Sequence, residues 1–335
     1  MKKEKVSVII PCYNVAGYID RCVESIIGQD YGFSNIELIL IEDCSSDDTL
    51  DHLERIEQAH SNNVLLIKTE KNGGPGTCRN IGMQYSTGNY IVFADGDDIL
   101  LPEMISELIK LSVRYDTDVS ECSYGVFDDP AKISSDDKGE ELFLEIREED
   151  ERKWFLINSL KTAVWARLYK RDFLERNQLC FPDGVYNLED VYFSGLMIFS
   201  IKRYCKMQRR LYWYFRNPEG LYRSEYNSVR TRKEIQIIGQ FVEEIKKRNK
   251  NIRDGLYSKE LEFYCIWKGF LDPLGKIVQS FLGEDRMLEE AMYFADYITS
   301  LFPNAYSNDY MLRLDDDVSK LALKLLRFAG EKGRV

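Results

Sequence analysis

Apolar residues recur along the first 125 positions as short runs that alternate with stretches of helical spacing. The short runs are rich in β-branched residues and predict buried strands at 6–10, 36–41, 64–67, 90–94 and 118–122. Apolar positions three or four residues apart predict helices between them, over 16–29, about 47–60, about 76–86 and from Pro102 onwards. This alternation predicts an α/β fold with a mainly parallel, doubly wound, Rossmann-like sheet.

The pattern changes in the second half of the chain. Residues 128–152 are charged and rich in turn-forming residues, which predicts an exposed loop. Strand-like and helical patterns then return at 164–169, 189–201, 203–207 and 211–215. From about residue 228 the spacing is helical to the end, in three or four segments. We therefore expect a helical C-terminal extension.

Composition excludes several classes of protein. A net charge of -11 argues against nonspecific binding to nucleic acid. The eight cysteines are scattered without a CxxC pair, so neither a zinc site nor a redox motif is predicted, and reduced thiols in the cytosol are expected. The only histidines, His52 and His60, are too few for a histidine-rich metal site. No signal peptide is recognised, and no apolar stretch approaches the ~20 residues that span a bilayer.

Polar clusters follow several of the predicted strands. They occupy residues 11–14, 42–48, 72–80 and 95–98. If the first, second and fourth strands are parallel neighbours, their carboxyl ends form one rim of the sheet, where ligands of α/β proteins bind. Each cluster taken alone is more often a simple turn. Four on one rim favour a binding site.

The residue types in these clusters suit a nucleotide. Asp95 and Asp97 lie two positions apart, so extended backbone projects both to the same side. One could hold a ribose hydroxyl and the other an Mg²⁺ or Mn²⁺ ion that bridges two phosphates. Tyr13 could stack on a base, Asp43 could accept the N–H of a uracil, and Arg79 could pair with carboxylate or phosphate. Pro11 and Gly96 complete the candidate nucleotide-binding set, and Asp98 is expected to support the loop.

The ordered motifs resemble those of family 2 glycosyltransferases. The stretches that carry the resemblance are VSVIIPCYN (6–14), IEDCSSDDT (41–49), NGG (72–74) with Arg79-Asn80, and FADGDD (93–98). It is strong over about 5–125 and fades after about 225. It implies the GT-A fold, a nucleotide-sugar donor and inversion at the anomeric carbon.

The resemblance also implies roles for single residues. Asp43 would bind the uracil of a UDP-sugar, and Asp95 with Asp97 would form the DxD pair, with Asp97 as the metal ligand. Glu189-Asp190 resembles the ED motif, in which Asp190 would be the catalytic base. A pair of carboxylates favoured at a helix N-terminus is the alternative interpretation of Glu189 and Asp190.

Together these observations predict a catalytic nucleotide-sugar-binding domain over 1–225 and a helical region over 226–335. We expect a cytoplasmic, Mn²⁺- or Mg²⁺-dependent enzyme that moves sugar from a UDP-sugar to a glycan or lipid-linked acceptor. Gln208 begins a segment that does not match the QxxRW motif of processive members, so transfer of one or a few residues is expected. Residues 318–327 could form an interfacial membrane helix, or a helix packed on the chain itself or on a second subunit.

Two other functions remain open at this point. A sugar nucleotidyltransferase also uses an α/β sheet and acidic metal ligands, but the Gly-rich basic loop expected of it is missing from residues 11–18. A sugar-nucleotide-binding protein without activity is the second. The intact Asp95, Asp97 and Asp190 argue against it.

Overall fold

The computed structural model describes residues 4–134, 140–146, 149–158, 162–185, 188–217, 232, 235–278 and 284–332. These residues form two compact units, Met1–Arg147 with Thr162–Gly220, and Glu148–Lys161 with Leu221–Val335. The second unit thus includes residues 148–161, which lie within the predicted 1–225 domain. The division of function between 1–225 and 226–335 stays a prediction.

A single nine-stranded sheet forms the centre of the first unit. Its strands are β1 (Val6–Cys12), β2 (Ile36–Glu42), β3 (Val64–Lys68), β4 (Tyr90–Phe93), β5 (Ile99–Leu100), β6 (Val119–Phe127), β7 (Glu141–Glu145), β8 (Arg167–Lys170) and β9 (Arg203–Phe215). The order is β3-β2-β1-β4-β8-β6-β9-β5, and β7 pairs with β9. Strands β1 to β4 are parallel neighbours, whereas β8 is antiparallel to both β4 and β6.

Helices connect these strands and cover the sheet. They are α1 (Ile19–Ile27), α2 (Thr49–Ala59), α3 (Gly74–Tyr85), α4 (Met104–Tyr115), α6 (Arg171–Arg176) and α7 (Glu189–Ser200), with α5 (Glu149–Asn158) belonging to the second unit. Short 3₁₀ turns lie at Phe33–Asn35 and Pro130–Lys132. Val8, Ile10 and Leu38 are fully buried with Ile19 and Val23 of α1 in one core cluster. The α/β prediction is confirmed.

The predicted loop over 128–152 is wrong in part. Strand β7 lies within it and pairs antiparallel with β9 from Glu145↔Arg203 to Glu141↔Met207. The Phe143 ring stacks on Tyr115 at 4.8 Å between centroids. Only three apolar residues stand between charged flanks there, so the local pattern hid a strand that cross-strand packing stabilises.

The two short strands predicted at 203–207 and 211–215 are one strand, β9. Its pairing with β6 shifts register between Cys122 and Tyr124, so the ladder continues past the polar residues in the middle of β9. A bulge of this kind bends a strand without ending it. The sequence showed the polar interruption but not the partner that bridges it.

The second unit is helical, as predicted, but in more segments. After α5 it contains α8 (Gln236–Arg248), α9 (Lys250–Arg253), α10 (Ser258–Ile266), a π-helical turn (Trp267–Leu271), α11 (Asp272–Val278), α12 (Glu284–Leu301) and α13 (Asp317–Lys332), with 3₁₀ turns at Ala305–Ser307 and Met311–Arg313. Helix α13 buries Leu325 and Leu326 and exposes Leu321 and Phe328. Among the helices that the structure describes, none is both long and apolar enough to cross a membrane.

Candidate functional site

The polar clusters meet at one rim of the sheet, as the parallel strand order requires. Cys12 at the end of β1 pairs with Glu42 at the end of β2, and the Asp43 N–H donates to the Cys12 carbonyl at 2.9 Å. In the next loop the Asn14 side-chain carbonyl accepts the Ser46 N–H at 2.8 Å. Tyr13 stands beside these bonds and is 45% exposed, so its ring is available at the rim.

The Asp43 carboxylate organises the turn that begins α3. It is 2% exposed, and it accepts hydrogen bonds from the Gly73 N–H at 2.9 Å, the Gly74 N–H at 2.8 Å and the Thr69 hydroxyl at 3.0 Å. Gly74 has φ of 81°, a conformation that favours glycine. Asp43 therefore fixes the glycine-rich loop, and its contact with uracil stays a prediction.

Arg79 joins two distant parts of the chain. Its Nη2 donates to Asp95 Oδ1 at 2.7 Å and its Nη1 donates to Glu189 Oε1 at 2.9 Å. The guanidinium lies over the Phe181 ring at 5.4 Å, and only 5% of the side chain is exposed. Arg79 thus holds the loop after β4 against the start of α7. A phosphate contact for Arg79 stays a prediction.

Close approach of α3 and α7 makes this bridge possible. A Cβ on Gly76 would lie 3.1 Å from Phe181 Cβ and 3.2 Å from Glu189 Cβ. These distances are shorter than a side chain at position 76 would tolerate without movement of its neighbours. Glycine at this position lets the first turn of α3 pack directly on the first turn of α7.

Glu189 and Asp190 begin α7, directly after Leu188, which has φ of 65°. Burial, and then the adjacent Asp190 carboxylate, raise the pKa of Glu189 to about 7, while Arg79 opposes the rise. Asp190 is more open than Glu189 and accepts the Val191 N–H at 2.7 Å. The helix N-terminus favours both negative charges, so the alternative structural interpretation of this pair also fits the geometry.

The acidic loop after β4 assigns different environments to its carboxylates. Asp98 is fully buried. It accepts a hydrogen bond from the Tyr212 hydroxyl, and its Oδ1 accepts the Phe215 N–H at 2.7 Å. Asp98 therefore anchors β9 to this loop, which is the supporting role expected of it. Gly96 lies close to Val15, because a Cβ added to Gly96 would be 3.3 Å from Val15 Cγ2.

Asp97 and Asp95 are less buried than Asp98. Asp97 Oδ2 accepts the Asn217 side-chain N–H at 3.1 Å, and the Asp97 carbonyl accepts Arg21 Nη2 at 2.8 Å. Burial, and then the Asp95 carboxylate, raise the pKa of Asp97 to about 6. The side chain of Asp95 is 31% exposed, and its Oδ1 is held by Arg79.

The donor set suits a hard divalent cation. Within the ranges described above, no group of three or more Asp, Glu, His or Cys side chains forms a ready-made metal site. Mg²⁺, however, is commonly held by one or two carboxylates while phosphate and water complete its shell. Asp95 and Asp97 are carboxylates of that kind, and both are partly exposed. The residues fit Mg²⁺ or Mn²⁺ bound together with a diphosphate.

Several residues that contact the acidic loop were not identified from the sequence. Tyr212 and Asn217 reach the acidic loop from positions 117 and 120 residues away. Arg21 comes from α1 and packs over the rings of Phe127 and Phe215. No local pattern marks Asn217 or Arg21, and the strand predicted over 211–215 contains Tyr212 but does not indicate its partner.

The chain is similar in sequence to known glycosyltransferases. Residues 7–177, just over half of the chain, match the model described as glycosyl transferase family 2. Glycosyltransferase GlyA of Streptococcus pneumoniae is 30% identical over 222 residues, which are 63% of this chain and 30% of GlyA. The poly(ribitol-phosphate) beta-N-acetylglucosaminyltransferase TarS of Staphylococcus aureus is 26% identical over 218 residues, 64% of this chain and 36% of TarS. The chain thus spans less than two thirds of the length of these relatives.

Solved structures agree on the fold. S. aureus TarS 1–349 in complex with UDP-GlcNAc superposes with a TM-score of 0.59 at 17% identity, covering 98% of this chain and 91% of that one. The mannosyltransferase PcManGT from Pyrobaculum calidifontis, in complex with GDP-Man and Mn²⁺, gives a TM-score of 0.54 at 16% identity, with coverages of 100% and 88%. The GT-A fold predicted from the sequence is confirmed, and the chain belongs to glycosyl transferase family 2.

Proposed function

We propose that this protein is an inverting glycosyltransferase that moves a sugar from a UDP-sugar to a hydroxyl of a glycan or lipid-linked saccharide. The observation that carries the proposal is the Arg79 bridge, which brings Asp95 and the Glu189-Asp190 pair together from positions far apart in sequence. Arg79 thereby connects the acidic loop to the first turn of α7, which carries the proposed base. The complex of TarS with UDP-GlcNAc supports a UDP-sugar donor.

In this proposal each side chain has a defined task. Tyr13 stacks on the base, while Pro11, Asp43 and Gly96 shape the pocket for the nucleoside. Asp95 accepts a ribose hydroxyl or assists the cation, and Asp97 holds Mn²⁺ or Mg²⁺. The cation, when bound, neutralises the charge that develops on the leaving diphosphate. The complex of PcManGT with Mn²⁺ supports the use of such a cation.

Asp190 acts as the general base. A sugar hydroxyl is a weak nucleophile, so Asp190 removes its proton as the oxygen attacks the anomeric carbon from the face opposite the diphosphate. This direct displacement inverts the anomeric centre. Glu189 stays bonded to Arg79 and so fixes the first turn of α7 from which Asp190 projects.

The decisive measurement is release of nucleoside diphosphate from a panel of UDP- and GDP-sugars with Mn²⁺ present. Asp190→Asn is expected to lower transfer by about 10²- to 10⁴-fold while UDP binding stays unchanged. Asp172→Asn is the matched control, because Asp172 is also an acid in the first turn of a helix. Activity of Asp190→Asn close to wild type would remove Asp190 from the base role.

The same assay separates the alternatives. Release of pyrophosphate from UTP and a sugar phosphate would favour a nucleotidyltransferase. UDP-sugar binding without any turnover would favour a binding protein. We place the enzyme in the cytoplasm and assign the helical region 226–335 to the acceptor side. Liposome flotation tests whether α13 contacts a membrane. Sedimentation tests whether α13 contacts a second subunit.

A further inference from the structure

An aromatic surface lies on the face of the sheet next to the acidic loop. Tyr124 pairs with Tyr212 and Val126 pairs with Tyr214 across the β6–β9 ladder. The Trp165 ring stacks on Tyr212 at 4.8 Å and 6° and lies near-parallel to Tyr214 at 5.6 Å and 17°. Tyr124 meets Trp165 edge-on at 4.7 Å. We call Tyr124, Trp165 and Tyr214 the aromatic platform.

The platform is partly open to solvent. Tyr124 is 37% exposed and its neighbour Val126 is 43% exposed, while Trp165 and Tyr214 are partly exposed. The opposite face of the same ladder is closed, because Trp213 packs on Gly125 so tightly that a Cβ there would lie 2.6 Å from its ring. Trp213 is therefore buried on one face of the ladder, whereas Tyr124 and Val126 on the other face are exposed.

The platform is joined to the donor loop by one side chain. Tyr212 is fully buried beneath Trp165. Its hydroxyl donates to Asp98 and accepts the Asp95 N–H at 3.2 Å. The ring that supports Trp165 thus also fixes the backbone of the acidic loop.

Strand register places the platform at the catalytic rim. The β4–β8 ladder ends at the pair Val92↔Leu168. Asp95 and Trp165 each lie three positions beyond this pair, at the same end of the two antiparallel strands. Ala166 has φ of 60°. This conformation is uncommon for a residue with a side chain, and it marks the point where Trp165 leaves the line of β8.

We propose that the aromatic platform binds a pyranose ring of the acceptor, so that the enzyme acts on a glycan with a cyclic sugar at its reactive end. This rests on the proposed function. One face of a pyranose presents C–H groups that pack on aromatic rings, while its edge presents hydroxyls. Tyrosine and tryptophan supply a large rigid apolar surface together with a polar edge. The base Asp190 requires a hydroxyl nearby, and the platform provides a surface for the ring that carries it.

Saturation-transfer NMR with UDP-loaded protein tests the proposal directly. The probes are methyl pyranosides of glucose, galactose and N-acetylglucosamine, together with ribitol 5-phosphate as an acyclic comparison. We expect transfer to the ring C–H protons of at least one pyranoside and little to the alditol. Tyr124→Ala and Trp165→Ala should each lower the pyranoside signal about tenfold, and Trp165→Phe should restore most of it.

Controls separate binding from folding and from donor recognition. Tyr85→Ala removes an equally large tyrosine that is 55% exposed at the far end of α3, and it should leave all signals unchanged. UDP's own saturation-transfer signals should survive in every variant. Pyranoside signals that persist in Tyr124→Ala and Trp165→Ala, a preference for ribitol 5-phosphate, or no pyranoside binding to UDP-loaded wild type would overturn the proposal. Failure of wild type to bind UDP would instead remove the proposed function on which it rests.

Discussion

Replacement of Arg79 by Met tests the bridge between the acidic loop and α7. The variant keeps an unbranched stem of similar length but removes the charge that faces Asp95 and Glu189. The side chains of Arg79, Glu189 and Asp95 are 5%, 10% and 31% exposed. Loss of one partner from a buried ion pair costs about 3–5 kcal/mol. Because Asp95 is partly hydrated, we expect about 3 kcal/mol of lost unfolding free energy near neutral pH.

The destabilisation should depend on pH in a defined direction. The folded-state pKa of Glu189 is raised to about 7, so its protonated form is the one favoured by folding. The stability that protonated Glu189 contributes to the folded state is fully present below the unfolded pKa, and it is lost as pH rises through the folded pKa. Arg79→Met should therefore be less destabilising at about pH 5.5 than at about pH 8, because protonated Glu189 no longer needs the guanidinium.

Urea denaturation at both pH values, with unfolding free energies from linear extrapolation, measures the effect. Arg114→Met is the matched control. Arg114 also contacts a carboxylate at 2.8 Å, but the pair with Glu141 is exposed, so its loss should cost less than about 1 kcal/mol. Arg79→Lys keeps the charge without the planar fork and should fall between wild type and Arg79→Met. Equal small losses for Arg79→Met and Arg114→Met would refute the bridge as a stabilising element.

Two further predictions concern the sheet. Burial alone would raise the pKa of Glu121, but Arg167 and Lys206 lower it to about 2. The stability that ionised Glu121 contributes is therefore present above the unfolded pKa, and it is lost as pH falls from about 4.5 to about 2. Glu121→Gln should consequently destabilise the protein at neutral pH and flatten this acid limb in a pH series of thermal melts; an unchanged acid limb would contradict the assignment. Gly82→Ala should cost about 1–3 kcal/mol, because the new Cβ would lie 2.3 Å from Ile9 Cγ2. Gly275→Ala, with no atom within 4 Å of the new Cβ, should be neutral or slightly stabilising in the same urea titration, and similar losses for both would argue against overpacking on β1.

Local pattern was enough to predict the first half of the fold. Strands β1 to β4 are recognisable as short runs rich in β-branched residues, and the helices between them have apolar residues three or four positions apart. Because strands joined through helices are usually parallel, their order and common rim follow from this alternation. The same rim places Tyr13, Asp43 and Asp95 near each other without any coordinates. Pattern missed β7, which cross-strand packing stabilises, and it divided β9 in two at the polar residues in its middle.

The sequence by itself identified several of the chemical groups at the rim: carboxylates, the Arg79 guanidinium and Tyr13, which follow the predicted parallel strands. Only the tertiary structure decided how those groups are used. Asp43 holds the glycine-rich turn, Asp98 anchors β9 through Tyr212, and Arg79 spans 110 residues to reach Glu189. The physical reason is that a carboxylate carries the same charge wherever it lies, whereas its burial and its hydrogen-bond partners depend on which distant segments the fold brings against it.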